Sequence, residues 1–184
     1  MNRYTLFCDQ NFPRLSPRIG FRVMEHIFKD ERGVVHFDLY FTYLESVKEL
    51  FPSHVYAFAA NSQHYSLHDR TSLHDAWLDY LHIIEPAEGE RKELRKIEIE
   101  ACFLGPFHDR RIFLSYKNVT GYSLQTSPDF VALPSNHIGH GDLLIHELRI
   151  HPSGDIIHEM EFSRGSTLLI RCGDLIHREE LISP

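Results

Sequence analysis
A chain of 184 residues is long enough for one domain with a real core, and 42 % hydrophobic with 24 % charged residues excludes disorder as the default. No apolar run approaches the roughly 18 residues that cross a bilayer, and the opening MNRYTLFCDQNFPR lacks the apolar stretch of a secretory signal. The net charge of −7 argues against a nucleic-acid binder that neutralises phosphates; it fits simple solubility, or attraction of a basic partner.

Three cysteines (Cys8, Cys102, Cys172) lie far apart without a CxxC pair, so neither a disulfide framework nor a zinc knuckle is implied. A reducing compartment fits, and the expected localisation is cytoplasmic. Fourteen histidines are the outlier in composition. Protonating half of them would cancel the net charge, in line with a pI near 6.0.

In chain order, residues 21–28 and 34–41 flank the turn Asp30-Glu31-Arg32-Gly33 and predict a hairpin. In its second strand Val35, Phe37, Leu39 and Phe41 alternate with His36, Asp38 and Tyr40. The period then changes: 42–51 carries Leu44, Val47, Leu50 and Phe51 at helical spacing, and Pro52 stops it. Ser53 caps a second short helix, 54–60, with Val55, Phe58 and Ala59 inward. The polar stretch 61–72 reads as a loop.

From residue 73 onward the pattern is β. Strands are expected at 77–84 and 94–103 around the charged turn 86–91. In the second, Ile97, Ile99, Ala101 and Phe103 alternate with Lys96, Glu98 and Glu100. Residues 111–116 and 119–124 form a further pair of short strands, and 126–141, with two prolines and two glycines, a long surface loop. Strands at 143–151, 156–163, 167–172 and 175–180 follow, joined by turns with hairpin chemistry. Short loops demand antiparallel neighbours, so this half should be a meander with the helices covering one face. The expected fold is α+β: a single domain over 1–184, dominated by an antiparallel β-sheet meander.

The dipeptide His-Asp occurs at His68-Asp69, His74-Asp75 and His108-Asp109. Adjacent His and Asp can both ligate a metal, but the helical phosphohydrolases that use this pair place it on a helix bundle, whereas the second and third pairs here stand at strand entrances. If those strands are neighbours, His74, Asp75, His108 and Asp109 meet at one end of the sheet, with Arg110 able to pair a carboxylate. Such a cluster is a polar network that fixes the fold or, alternatively, a site for a divalent metal ion. The loop histidines His137 and His140 could then close over it as further ligands. His146 and His158 interrupt apolar strand faces. Matching those faces across a short loop puts His158 opposite Ile150 and His146 opposite Phe162, too far apart to share an ion, which suits neutral core histidines.

There is no G-x-S-x-G elbow, no phosphate-binding glycine loop and no recognisable cysteine nucleophile. The run 88–95 is a solvated mixed-charge turn. Trp77, the single tryptophan, either packs or anchors an interface.

SLHDAWL (72–78), LGPFHDRRIFLSY (104–116), then HGDLLIHE (140–147) and a closing strand series resemble a loose group of small uncharacterised bacterial proteins that open their β region with a His-Asp turn. Some of these are grouped with the immunity proteins of polymorphic toxin systems, which clamp onto a toxin domain. The resemblance covers roughly residues 50–180 and implies a protein partner, with no ligand or catalytic residue attached. The expected function is therefore a non-catalytic binding protein without cofactor, an immunity-type inhibitor that meets a basic toxin domain, with neither nucleic acid nor membrane as partner. The alternative is a metal-dependent hydrolase built on the His/Asp cluster.

Overall fold
The computed structural model describes residues 20–22, 24–126 and 139–183. Asp30 organises the front of the molecule. Its carboxylate accepts the N–H groups of Arg32 and Val34, both at 2.9 Å, and Gly33 supplies the positive φ that the turn needs. Around this turn β1 (Gly20–Arg22), β2 (Phe28–Asp30) and β3 (Val35–His36) form a small antiparallel sheet. The expected strand 21–28 is interrupted by a bend at Met24–Ile27 (Met24 N–H to Ile27 carbonyl, 3.1 Å).

The expected strand 34–41 ends at His36, and α1 (Asp38–Ser46) takes over. Phe37, Tyr40, Leu44 and Val47 also recur at three- and four-residue spacing, and the helix buries Tyr40 and Leu44 while leaving Leu39, which a strand would have buried, 39 % exposed. A 3-10 turn, Lys48–Leu50, follows. Pro52 then precedes α2 (Ser53–Ala59), where its missing N–H costs nothing, and no side chain caps that helix. Val55, Phe58 and Ala59 are buried as their spacing requires. The stretch expected as a plain polar loop contains a 3-10 turn, Ser62–Tyr65, with both His64 and Tyr65 buried. Their polar atoms are satisfied there: His64 Nδ1 donates to the Phe58 carbonyl at 3.0 Å and the Tyr65 hydroxyl to the Ala59 carbonyl at 2.9 Å.

The β region runs β4 (Trp77–Ile84), β5 (Ala87–Glu88), β6 (Leu94–Arg95), β7 (Ile97–Leu104), β8 (Arg110–Val119), β9 (Gly121–Gln125), β10 (Leu143–Ile150), β11 (Ile156–Phe162), β12 (Thr167–Cys172) and β13 (Asp174–Leu181). All pairings are antiparallel, so the α+β, sheet-dominated expectation holds. The order is not one meander. One four-stranded sheet is β13-β8-β7-β4 and the other β10-β11-β12-β9. β8 and β9 do not pair with each other; they are consecutive halves of a bent strand that leaves one sheet for the other, and β12 and β13 do the same beside it. The ladder slips by one residue at the corner, between Arg171↔Gly121 and Asp174↔Lys117. There the Gly173 N–H is shared between the Lys117 and Asn118 carbonyls (3.0 and 3.2 Å), and Asn118 takes a φ of +51°. A bulge of this kind lets strands turn between stacked sheets.

A second seam closes the other side, where Trp77 bridges Asp142 and Asp75 and Ala76 exchange backbone hydrogen bonds with Leu143 at 2.9 Å. Further along, the free edge of β10 is covered by α1: the Leu148 N–H donates to the Tyr40 hydroxyl (2.9 Å) and the Ile150 N–H to the Tyr43 hydroxyl (2.8 Å). The interior is filled by Ile99, Ala101 and Phe103 of β7, Ile112, Leu114 and Tyr116 of β8, and Met160, Phe162, Leu168 and Ile170 from the second sheet. No helix among the described residues is long and apolar enough to cross a membrane.

The seam gives a direct stability test. Gly141 has a φ of +81°, and a methyl group there would run into the Ser163 hydroxyl, which accepts the Asp142 N–H at 2.9 Å. Gly141→Ala is expected to cost about 2 kcal/mol in denaturant unfolding, from backbone strain and displacement of Ser163.

Candidate functional site
The His-Asp couples do lie at one end of a sheet. Trp77 of β4 pairs with Leu104, and Leu104 with Arg111 of β8, so the segments entering β4 and β8 flank the exit of β7. Asp75 and His108 both have positive φ (64° and 56°), which turns the chain sharply into each strand. The couples make separate contacts. His74 Nδ1 is 3.0 Å from Asp75 Oδ1. Asp109 accepts from Arg70 (2.6 Å) and from Arg110 Nε (3.2 Å), and the two guanidinium groups, Arg110 foremost, hold its carboxyl below the usual range. Arg110 also donates to Glu179 at 2.6 Å, so it pairs two carboxylates.

On the same rim the His108 ring lies edge-on to Trp77 with centroids 4.7 Å apart. Trp77 is 47 % exposed, yet its indole N–H donates to Asp142 at 2.6 Å. Phe107 is equally exposed, with the Arg70 guanidinium 4.9 Å above its ring. Trp77, His108, Phe107 and Arg70 thus form an exposed set joined by these contacts. Of the loop histidines, His137 lies outside the described residues, while His140 is half-buried, hydrogen-bonded through Nδ1 to the Ser166 hydroxyl at 2.9 Å and tilted against Phe162.

A second polar assembly was not apparent from the sequence. Phe58 of α2 lies among four imidazoles, those of His64, His177, His146 and His158, at centroid distances of 4.6, 4.8, 6.0 and 6.3 Å. The expected separation of His146 and His158 does not hold. The register places His158 opposite Leu148 and His146 opposite Met160, two residues from the matching assumed, because the turn closes between His151 and Asp155. The rings become diagonal neighbours, His146 Nδ1 to His158 Nε2 at 3.1 Å, and His158 Nδ1 meets the Tyr116 hydroxyl at 2.9 Å. His146 Nε2 has no hydrogen-bond partner, and its ring stacks on Tyr65 at 4.5 Å. Burial is the first cause of every shift here: it pushes His158 down to about 3, His177 to about 4, His146 well below its ordinary value, and His64 down as well. All four rings are neutral near pH 7.

His64 and His177 stand at the floor of an open cleft of about 690 Å³ between α2 and β13, with Asn61, Thr71, Asp174 and Ile176 on its walls. Among the described residues, the group of three side chains with metal-ligand chemistry whose donor atoms all lie within 4.8 Å of one another is His64, His177 and Glu179. The strand alternation carried a signal for part of it. Leu175, His177 and Glu179 face Tyr116, Leu114 and Ile112 across the ladder, so both polar residues occupy the inward face of an otherwise apolar pattern. The Glu179–Arg110–Asp109–Arg70 chain of ion pairs links this cleft to the Trp77 rim. No protein-family model matches the chain, and a search of curated proteins finds no match.

Proposed function
We propose that the chain is a non-catalytic binding protein that docks a basic protein domain through the Trp77 rim, in the manner of an immunity-type inhibitor. The observation that carries this reading is an exposed tryptophan locked by Asp142 and His108 beside an exposed phenylalanine covered by Arg70. Trp and Arg concentrate interface energy, and side chains already ordered lose little entropy on binding. Arg70 is itself tethered to Asp109. Asp142 accepts from the indole, and the net charge of −7 favours a basic partner and steers its approach. The sequence resemblance supplies the toxin as that partner.

The test is co-expression with each basic toxin domain that the neighbouring genes encode. Growth is expected to be restored, with a complex whose association slows in salt. Trp77→Ala should weaken it by roughly 30-fold or more, about 2 kcal/mol, while the free chain stays folded with a far-UV spectrum like that of the parent. Failure to rescue growth, or an unaltered affinity in Trp77→Ala, overturns the reading.

A further inference from the structure
We propose that His64, His177 and Glu179 form a binding site for one Zn2+-class divalent ion at the floor of the cleft, independent of the docking rim. The argument begins with the tautomers. His64 Nδ1 donates its proton to the Phe58 carbonyl at 3.0 Å, which leaves the lone pair on Nε2. A hydrogen bond from the other ring nitrogen to a backbone carbonyl is the usual way a protein orients an imidazole ligand. His177 Nε2 lies out of solvent with no hydrogen-bond partner, although Glu179 Oε1 is only 3.4 Å away. A buried ring nitrogen left without a partner is costly unless something binds it. Glu179 is held from the far side, where Oε2 accepts from Arg110 at 2.6 Å, so Oε1 is the oxygen turned toward the two rings. Arg110 is itself paired with Asp109, which offsets its charge near an incoming cation.

Two neutral nitrogens and one carboxylate oxygen select a borderline ion over Mg2+ or Ca2+, which require mostly oxygen donors. The donor atoms lie within 4.8 Å of one another, and a tetrahedral ion with bonds of about 2.0–2.1 Å holds its ligands roughly 3.4 Å apart. Closure therefore needs side-chain shifts of about 1 Å, and the Asn61 amide, now 3.2 Å from His64 Nε2, must turn aside. Three protein donors leave the remaining position open to the cleft, where water or an anionic group completes the shell. Three donor atoms converge here, whereas at the His-Asp couples Asp109 is held by two arginines.

The test uses the untagged full-length chain, freed of metal by chelator and dialysis. Zn2+ is titrated by calorimetry and Co2+ by visible absorption. One equivalent is expected to bind, with a tetrahedral cobalt spectrum. His177→Ala should weaken binding about 100-fold or more, and Glu179→Gln about 10-fold or more. His177→Cys keeps a ligand in place; it should retain the ion and add a thiolate-to-cobalt charge-transfer band, which separates loss of a ligand from loss of the fold. His74→Ala and His108→Ala should bind as the parent does. Absence of stoichiometric binding, an unchanged affinity in His177→Ala, or loss of binding in His74→Ala or His108→Ala overturns the proposal.

Discussion

Lowering the pH from 6.5 to about 4.5 is expected to remove about 2.5 kcal/mol of folding free energy through His158 alone, with His146 acting in the same direction. His146 and His158 are 1 % and 0 % exposed, and burial holds both neutral, His158 down to about 3 and His146 well below its ordinary value. Once unfolded, each takes up a proton at the usual value of about 6.5. Below that value the unfolded chain binds more protons than the folded one, so stability falls as pH falls. The contribution is whole above about 6.5 and drains away until the pH reaches the folded value. His158 costs about 1.4 kcal/mol per pH unit across this window, and His146 adds to the loss. His177, pushed to about 4, and His64 add in the same direction. Glu147 and Glu161 oppose them just above the ordinary carboxylate range, because burial raises both and favours their protonated forms in the fold.

Since a domain is stable by only about 5–15 kcal/mol, acid unfolding is expected at a pH where exposed carboxylates are still half ionised. Denaturant unfolding measured every half unit between pH 4.5 and 7.5 reads the slope. His158→Leu paired with Tyr116→Phe removes one titrating ring and its hydroxyl partner together, and should flatten the profile by about one proton. A flat profile for the parent chain would mean that these rings are protonated or solvated in the fold.

Glu147→Ala is expected to cost about 4 kcal/mol, a large part of the total. Glu147 is fully buried and accepts the backbone N–H groups of Glu25, His26 and Ile27 at 3.2, 2.7 and 3.2 Å. Arg149 adds a contact at 3.3 Å and bonds Glu25 and Glu159. One side chain of β10 therefore ties down the bend between β1 and β2 across about 120 residues of chain. Truncation leaves three amides without an acceptor in a place that water reaches poorly. Glu147→Gln, which keeps one carbonyl acceptor, should lose about half as much. Urea unfolding gives the free energies, and amide exchange at residues 25–27 should quicken far more than at β7 or β8. Unchanged protection at those amides would show that other contacts hold the bend.

Part of this architecture is legible along the chain. The strands β4, β7 and β10 to β13 and the helix α2 follow from period-two and helical spacing bounded by glycine, proline and aspartate turns, all of them local signals. The start of α1 is harder, because Val35, Phe37, Leu39 and Phe41 fit a strand while Phe37, Tyr40 and Leu44 fit a helix. Burial of Tyr40, whose hydroxyl accepts from Leu148 and caps the β10 edge, decides between them. The site was half visible. The gathering of His-Asp couples at one rim follows from strand alternation and turn placement. The convergence of His64 with His177 and Glu179 does not, since His64 is more than 100 residues from the other two and meets them only because α2 packs against β13.

By itself the sequence determined the antiparallel class, most of the strands of the β region and helix α2, because each depends on side-chain period and turn chemistry within a few residues. Tertiary structure alone decided which sheet β9 and β13 join, the two-residue register that makes His146 touch His158, and the ring of neutral imidazoles around Phe58. Those choices turn on closing one apolar interior across the corner at Gly173. Strand pairing at long sequence separation is selected by that shared burial and by nothing local.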